Sequence, residues 1–189
     1  MNAYTFHITP YDLAFVGIVF TGLTFVLLLW FTKRVNQAAN RLLGMALLTV
    51  MLWIAWILGV DIGLKAYFPL WSWVPLQFSL VVGPLVFFYV RKITWPEHKF
   101  SRKDLLHLVP MLLQQGLFIA EISESVKTGA ATYQTQIFQQ TETAVNLAVF
   151  ISVAVYLYYS FRLIERFYKQ QKFDYLNDLW GIRWLSQRQ

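Results

Sequence analysis

Between Leu13 and Phe31 the chain carries no Asp, Glu, Lys or Arg, and four further runs share that property: Leu42–Val60, Ala66–Val90, Leu105–Ala120 and Ala144–Phe161. A helix needs about 20 consecutive apolar residues to cross a hydrocarbon core of roughly 30 Å. Four of the runs reach that length. The fourth in order, which also holds His107, Pro110 and the pair Gln114-Gln115, is the shortest. Leu13–Phe31 is apolar around its whole circumference, whereas a helix of a soluble domain keeps a polar stripe. The expected architecture is therefore all-α, a polytopic bundle of five transmembrane helices at about 13–31, 42–60, 70–90, 105–120 and 144–161.

The loops between the runs alternate in charge. Lys33, Arg34 and Arg41 lie in the first, Arg91, Lys92, Lys99, Arg102 and Lys103 in the third, and Arg162, Arg166, Lys169, Lys172, Arg183 and Arg188 after the fifth run, which leaves only Lys65 and Lys127 of the 16 basic residues for the other side. Lys and Arg are retained on the cytoplasmic face. That predicts an N-terminus outside and a C-terminus inside. The formal charge of +6 is read as this topology signal, with attraction to anionic headgroups, since the basic residues flank span ends and form no continuous face for nucleic acid.

The chain has no cysteine, so disulfides, thiolate metal sites and cysteine nucleophiles are excluded. Met1 to Thr9 carries no basic residue, and no small-residue cleavage site follows the first run, so that run is expected to stay as a span. No Gly-rich phosphate loop, paired metal-binding histidines or nucleophile elbow occurs. His7, His98 and His107 are isolated in sequence. Asp, Glu, Lys or Arg deep within spans would mark ion or proton paths, and none is present. Neither enzymatic activity nor a cofactor is expected.

Run three holds Pro75 and the pair Gly83-Pro84, so a kinked helix packed against protein is expected there, because Pro84 removes a backbone donor that neighbours must offset. Pro110 is the third candidate kink residue. Glu121–Thr143 is expected as the longest loop, on the outer side. Beyond Phe161 the residues Phe173, Leu176, Leu179, Trp180 and Trp184 recur at helical spacing among polar residues. This predicts that 167–189 is a separate amphipathic segment on the cytoplasmic interface, following a bundle of 1–166. Trp30, Tyr89, Arg91, Trp95, Trp180 and Trp184 are expected as interface anchors, since aromatic rings and long cationic side chains settle at headgroup level. Trp71 and Trp73 lie near span ends in the same way.

Gln77, Gln114, Gln115 and Asn146 fall in the outer half of their spans under this topology. Such amides bond between helices or line a pocket. A pocket built from them would open outward.

Several local strings add a resemblance. Asn40-Arg41-Leu42-Leu43-Gly44, Gly83-Pro84-Leu85-Val86-Phe87-Phe88-Tyr89-Val90-Arg91, Lys103-Asp104-Leu105-Leu106-His107-Leu108-Val109-Pro110 and Ile182-Arg183-Trp184-Leu185 occur in that order. Over about Asn40 to Leu185 the chain resembles the membrane sensor portion of bacterial membrane-anchored AraC-type transcriptional regulators, common in Bacteroidetes. The resemblance implies the first five of seven spans in a bacterial inner membrane and a signal-input role. The family's cytoplasmic helix-turn-helix domain has no counterpart in these residues, so no direct contact with nucleic acid is expected. Expected partners are the lipid bilayer, an outer or membrane-borne small-molecule cue, and a second copy of the chain as a homodimer. The alternative is a structural scaffold of the membrane without a ligand.

Overall fold

The computed structural model describes residues 9–33, 36–68, 71, 73–129 and 136–186, with the backbone alone at 65 and 174–186. Among the described residues five α-helices follow one another: α1 (Pro10–Phe31), α2 (Gln37–Asp61), α3 (Val82–Thr94), α4 (Val109–Thr128) and α5 (Gln136–Ser186). Four helical segments are long and apolar enough to cross a membrane: Pro10–Phe31, Gln37–Asp61, Asp104–Thr128 and Gln136–Phe173. The protein is an all-α bundle with the build of a multi-pass membrane protein. Its surface agrees, since Phe20 (74% exposed), Leu113 (67%) and Phe150 (74%) point outward from the bundle, where lipid replaces water as the favourable neighbour.

The first two helices start where the sequence supplies a partner for orphan donors. Thr9 and Asp12 form a reciprocal capping box at α1, with Pro10 at its first position, and the side chain of Asn36 accepts from the Ala39 amide at 3.2 Å to begin α2. Asn36 also donates to the Lys92 carbonyl at 2.8 Å, fixing the start of α2 against the end of α3. α1 and α2 pack antiparallel, with Gly44 against Leu29 and Gly22 against Met51. The core lies where α2 meets α3, around Leu42, Ala46, Val81, Leu85 and Phe88.

Run three departs from the expected span of 70–90. Val74–Phe78 has no regular secondary structure, a single 3-10 turn covers Ser79–Val81, and α3 is only 13 residues long. Proline explains the break. Pro75 has no N–H and disfavours helical geometry in Val74, and Pro84 in a continuous helix would strand the Leu80 carbonyl. Pro84 instead occupies the first turn of α3, where no intrahelical donor is needed. The expected kink at Gly83 and Pro84 is therefore a helix start. Pro110 likewise opens α4 behind a 3-10 turn at Asp104–Leu108.

Two further boundaries move. The region expected as a long loop, Glu121–Thr143, is helical up to Thr128 and again from Gln136, because charge ends an apolar run without ending a helix; Gly129, at φ 70°, ends α4. Glu124 then accepts from the Gln136 and Ile137 amides at 3.3 and 2.9 Å, capping α5 from the preceding helix. α5 continues for 51 residues, roughly 75 Å, without interruption at 167. No proline lies between Arg162 and Ser186 to stop it.

The helix ends gather into two groups. Asp12, Asp61, Ser125 and Phe138 mark one end of the bundle, and Asn36, Arg91, Asp104 and Phe167 the other.

Candidate functional site

The break in run three leaves non-helical backbone beside apolar helices, where unsatisfied polar groups are costly. Two adjacent glutamines of α4 meet that need. Gln114, buried at 5% exposure, accepts from the Leu80 amide at 3.2 Å and donates to the Ser79 hydroxyl at 2.9 Å. Gln115 donates to the Gln77 carbonyl at 2.7 Å. Ser79 and Leu80 are themselves buried, so Gln114 takes the place of backbone partners that a continuous helix would have given them.

Beside this junction, toward the Asp12 end, lies a cavity of about 110 Å³. Gln77, Gln114 and Asn146 line it; Gln115 does not. The structure thus brings three of the four amides together and gives the fourth to the backbone. The wall also includes Trp53 and Trp56 of α2, Glu121 of α4, and Phe138, Thr141 and Glu142 of α5. Glu121 is 6% exposed, with Thr141 as its hydrogen-bonding neighbour. Trp56, 5% exposed, tilts against Phe138 with ring centroids 6.4 Å apart, and its indole N–H has no acceptor among the described residues. A signal for Glu121 was present in the sequence: Gln114, Phe118, Glu121 and Ser125 are the buried residues of α4, spaced four, three and four apart on one helix face. The apolar run ends at Ala120, but the buried face continues past it into the charged residues.

Two larger apolar grooves flank the helices. One, of about 630 Å³, separates α4 from α5 along Leu113, Leu117, Ala148 and Val155; the other, of about 570 Å³, lies between α2, α3 and α4 along Leu52, Leu85 and Met111. The cavity adjoins the first of these grooves, sharing Gln114, Leu117, Thr141 and Val145 with it.

At the opposite end a polar and aromatic cluster joins α3, the Asp104 turn and α5. Arg91, expected as a headgroup anchor, instead pairs with Asp104 at 2.8 Å, and the His98 imidazole lies 3.5 Å from the same carboxylate. Asp104 also accepts from the Ser101 amide at 2.8 Å. Its side chain is nearly buried, and a buried carboxylate holds a guanidinium more strongly than exposed headgroups would. His107 lies 2.8 Å from the Tyr156 hydroxyl, inside a group of rings with Phe87 and Phe88. His98 and His107, isolated in sequence, are gathered in space through Phe88 and Phe100, and His7 lies outside the described residues.

Of the other expected anchors, Trp30 is 38% exposed near the end of α1, Tyr89 is half-buried against the core, and Trp95 packs edge-on against Phe167 at 6.1 Å. Trp71 packs so closely on Gly59 that a Cβ there would overlap its indole. Trp73 donates to Ser125 at 3.4 Å. The side chains of Trp180 and Trp184 lie outside the described residues. Gly83 faces α5, where an added Cβ would stand 2.8 Å from the Tyr156 ring and 3.3 Å from the Ser152 carbonyl; Pro84 is fully buried. Among the described residues no group of three or more His, Asp or Glu side chains could hold a metal ion.

No protein family, curated protein or solved structure matches this chain.

Proposed function

We propose that the protein is the membrane-embedded signal-input module of a transcriptional regulator in a bacterial inner membrane. In this reading the chain makes five passes with its N-terminus outside. α2 ends at the Asp12 end and the Asp104 turn begins at the other, so the chain between them, a broken third element, has to return across the bundle. The concentration of Lys and Arg at the Arg91 end supports a cytoplasmic position for that end.

One observation carries the sensor reading: the polar cavity is walled by α5, and α5 is a single unbroken helix from there to Ser186. A cue that displaces Thr141, Val145 or Asn146 therefore moves the far end of the same rigid element. The groove between α4 and α5 leaves that helix room to shift. A long rigid helix with room to shift is the kind of element a two-state signalling mechanism uses.

The test uses the absence of native cysteine. Spin labels on Glu97→Cys and Lys172→Cys, both exposed, report the distance between the Trp95 turn and α5. Val145→Phe fills part of the cavity and stands in for a bound cue. A shifted distance distribution is expected; an unchanged one in correctly inserted protein refutes the sensor reading. Single cysteines at Ser101 and Thr132 should react from opposite sides of the membrane, and reaction from one side refutes the topology. Beyond Gln189, the source gene is expected to encode a helix-turn-helix region, and a frame without one refutes the regulator assignment.

A scaffold without a ligand is the second reading. It is favoured by Gln114 and Gln115, whose amides already bond within the chain. An unmoved α5 in the label experiment is its expected result.

A further inference from the structure

We propose that the cavity beside Gln114 is a receptor site for a small organic ammonium ion that also carries a hydrogen-bond acceptor. The proposal rests on the reading of this cavity as the cue site and names the chemistry of what enters it.

Charge is the first argument. Glu121 is almost wholly buried and Glu142 stands on the same wall, yet among the described residues no Lys, Arg or His lines the cavity. Neither carboxylate belongs to an ion pair among the described residues. A carboxylate withdrawn from water either takes up a proton or is stabilised in its charged form by a cation brought beside it. Elsewhere the fold provides one, as Arg91 does for Asp104. Here none is supplied among the described residues, and an incoming ammonium ion provides that charge.

The aromatic wall is the second. Trp53, Trp56 and Phe138 border the same space. Ring faces attract ammonium groups, and the attraction grows when the site is dry. Carboxylate and rings together favour an organic cation over a bare metal ion, because ring faces attract an ammonium group but are not ligands of a hard metal ion.

The third is independent of both. Trp56 is part of the wall, and its buried indole N–H has no acceptor among the described residues. A buried donor of this kind is normally satisfied. The fold leaves this donor of a wall residue without a partner, and a ligand with a hydroxyl, ether or carbonyl oxygen near its cationic group supplies one when the ring turns toward it. The Asn146 and Gln77 side chains give such a polar group further neighbours.

Volume limits the size. At about 110 Å³ the cavity is smaller than the roughly 150 Å³ space that accommodates benzene, which restricts the occupant to about five non-hydrogen atoms. Ethanolamine has the right size and both groups. The same chemistry occurs free in water and in the headgroup of phosphatidylethanolamine.

The experiment is calorimetric titration of the full chain in nanodiscs of phosphatidylglycerol, which has no ammonium group. Ethanolamine, neutral ethylene glycol and anionic glycolate are the probes. Saturable ethanolamine binding is expected, with the other two at least about tenfold weaker, and Glu121→Gln should weaken ethanolamine on the order of tenfold. Trp56→Phe should weaken it several-fold, while Glu142→Gln, at an exposed position, gives a milder loss that guards against misfolding of the buried variant. If binding in phosphatidylglycerol discs disappears when phosphatidylethanolamine is included, the headgroup is the natural occupant; if it persists, the free amine is. Equal affinity for ethylene glycol, or no saturable ethanolamine heat in inserted helical protein, overturns the proposal. The sensor reading falls separately, on an unmoved label pair in Val145→Phe.

Discussion

Replacing Gln114 with Leu removes two hydrogen bonds from the junction that holds the broken third element. The bond to Ser79 joins two side chains on different elements, and such bonds in membrane bundles contribute about 0.6 kcal/mol on average. The bond from the Leu80 amide is different in kind. Val81 bonds to Phe78 within the 3-10 turn, whereas Leu80, one residue earlier, donates to the Gln114 side chain. Leucine at 114 leaves that buried N–H without an acceptor, which costs roughly 1–3 kcal/mol. The total expected for Gln114→Leu is about 2–3 kcal/mol. Gln115→Leu removes one bond to a carbonyl that is only half-buried, and about 0.6 kcal/mol is expected. Reversible unfolding in mixed micelles titrated with dodecyl sulfate, followed by circular dichroism, measures both. A Gln114→Leu loss no larger than that of Gln115→Leu would show that the 77–80 backbone does not depend on α4 for its hydrogen bonds.

Three other outcomes follow from the packing. Gly83→Val should cost about 1–3 kcal/mol by overpacking, since its Cβ would press on Tyr156 and Ser152; the same unfolding titration checks it, and an unchanged midpoint would place α5 farther away. Arg91→Met strands the nearly buried Asp104 carboxylate; because the arginine is itself partly exposed, the loss should be about 1–2 kcal/mol, below the 3–5 kcal/mol of a fully buried pair, and Arg91→Lys should recover part of it. Glu124→Ala should cost about 1 kcal/mol and speed hydrogen exchange at the Gln136 and Ile137 amides specifically.

Spans one and two were readable from apolarity alone, because nothing in Leu13–Phe31 or Leu42–Val60 opposes a helix and Asn36 marks a start. Run three shows why apolarity is an incomplete guide. Its composition satisfies the membrane throughout, but backbone geometry depends on Pro75 and Pro84, and a proline can kink a helix or begin one. Sequence distance does not distinguish those cases; the presence of Gln114 and Ser79 across the gap does, and that requires the fold. The same limit applies to the histidines, Arg91 and Glu121, whose partners stand on other elements. The 51-residue α5 was divided at 167 because its composition changes there, although helix continuity responds to breakers and not to polarity.

The break in run three and the polar cavity are parts of one arrangement. A continuous third helix would have satisfied Leu80 through its own backbone, and Gln114 could then have been leucine at no cost in hydrogen bonding. Once the helix starts at Val82, α4 must present a polar face at that level, and Gln114 provides it. Following the same face two turns onward reaches Glu121, which has no such backbone group to serve: its neighbour is the cavity, with Thr141 at its side. Gln114 is explained by the fold, whereas the fold gives Glu121 and the Trp56 N–H nothing equivalent to do. Polar groups buried without a structural duty are where binding is best sought, and here they face the helix that runs the whole length of the bundle.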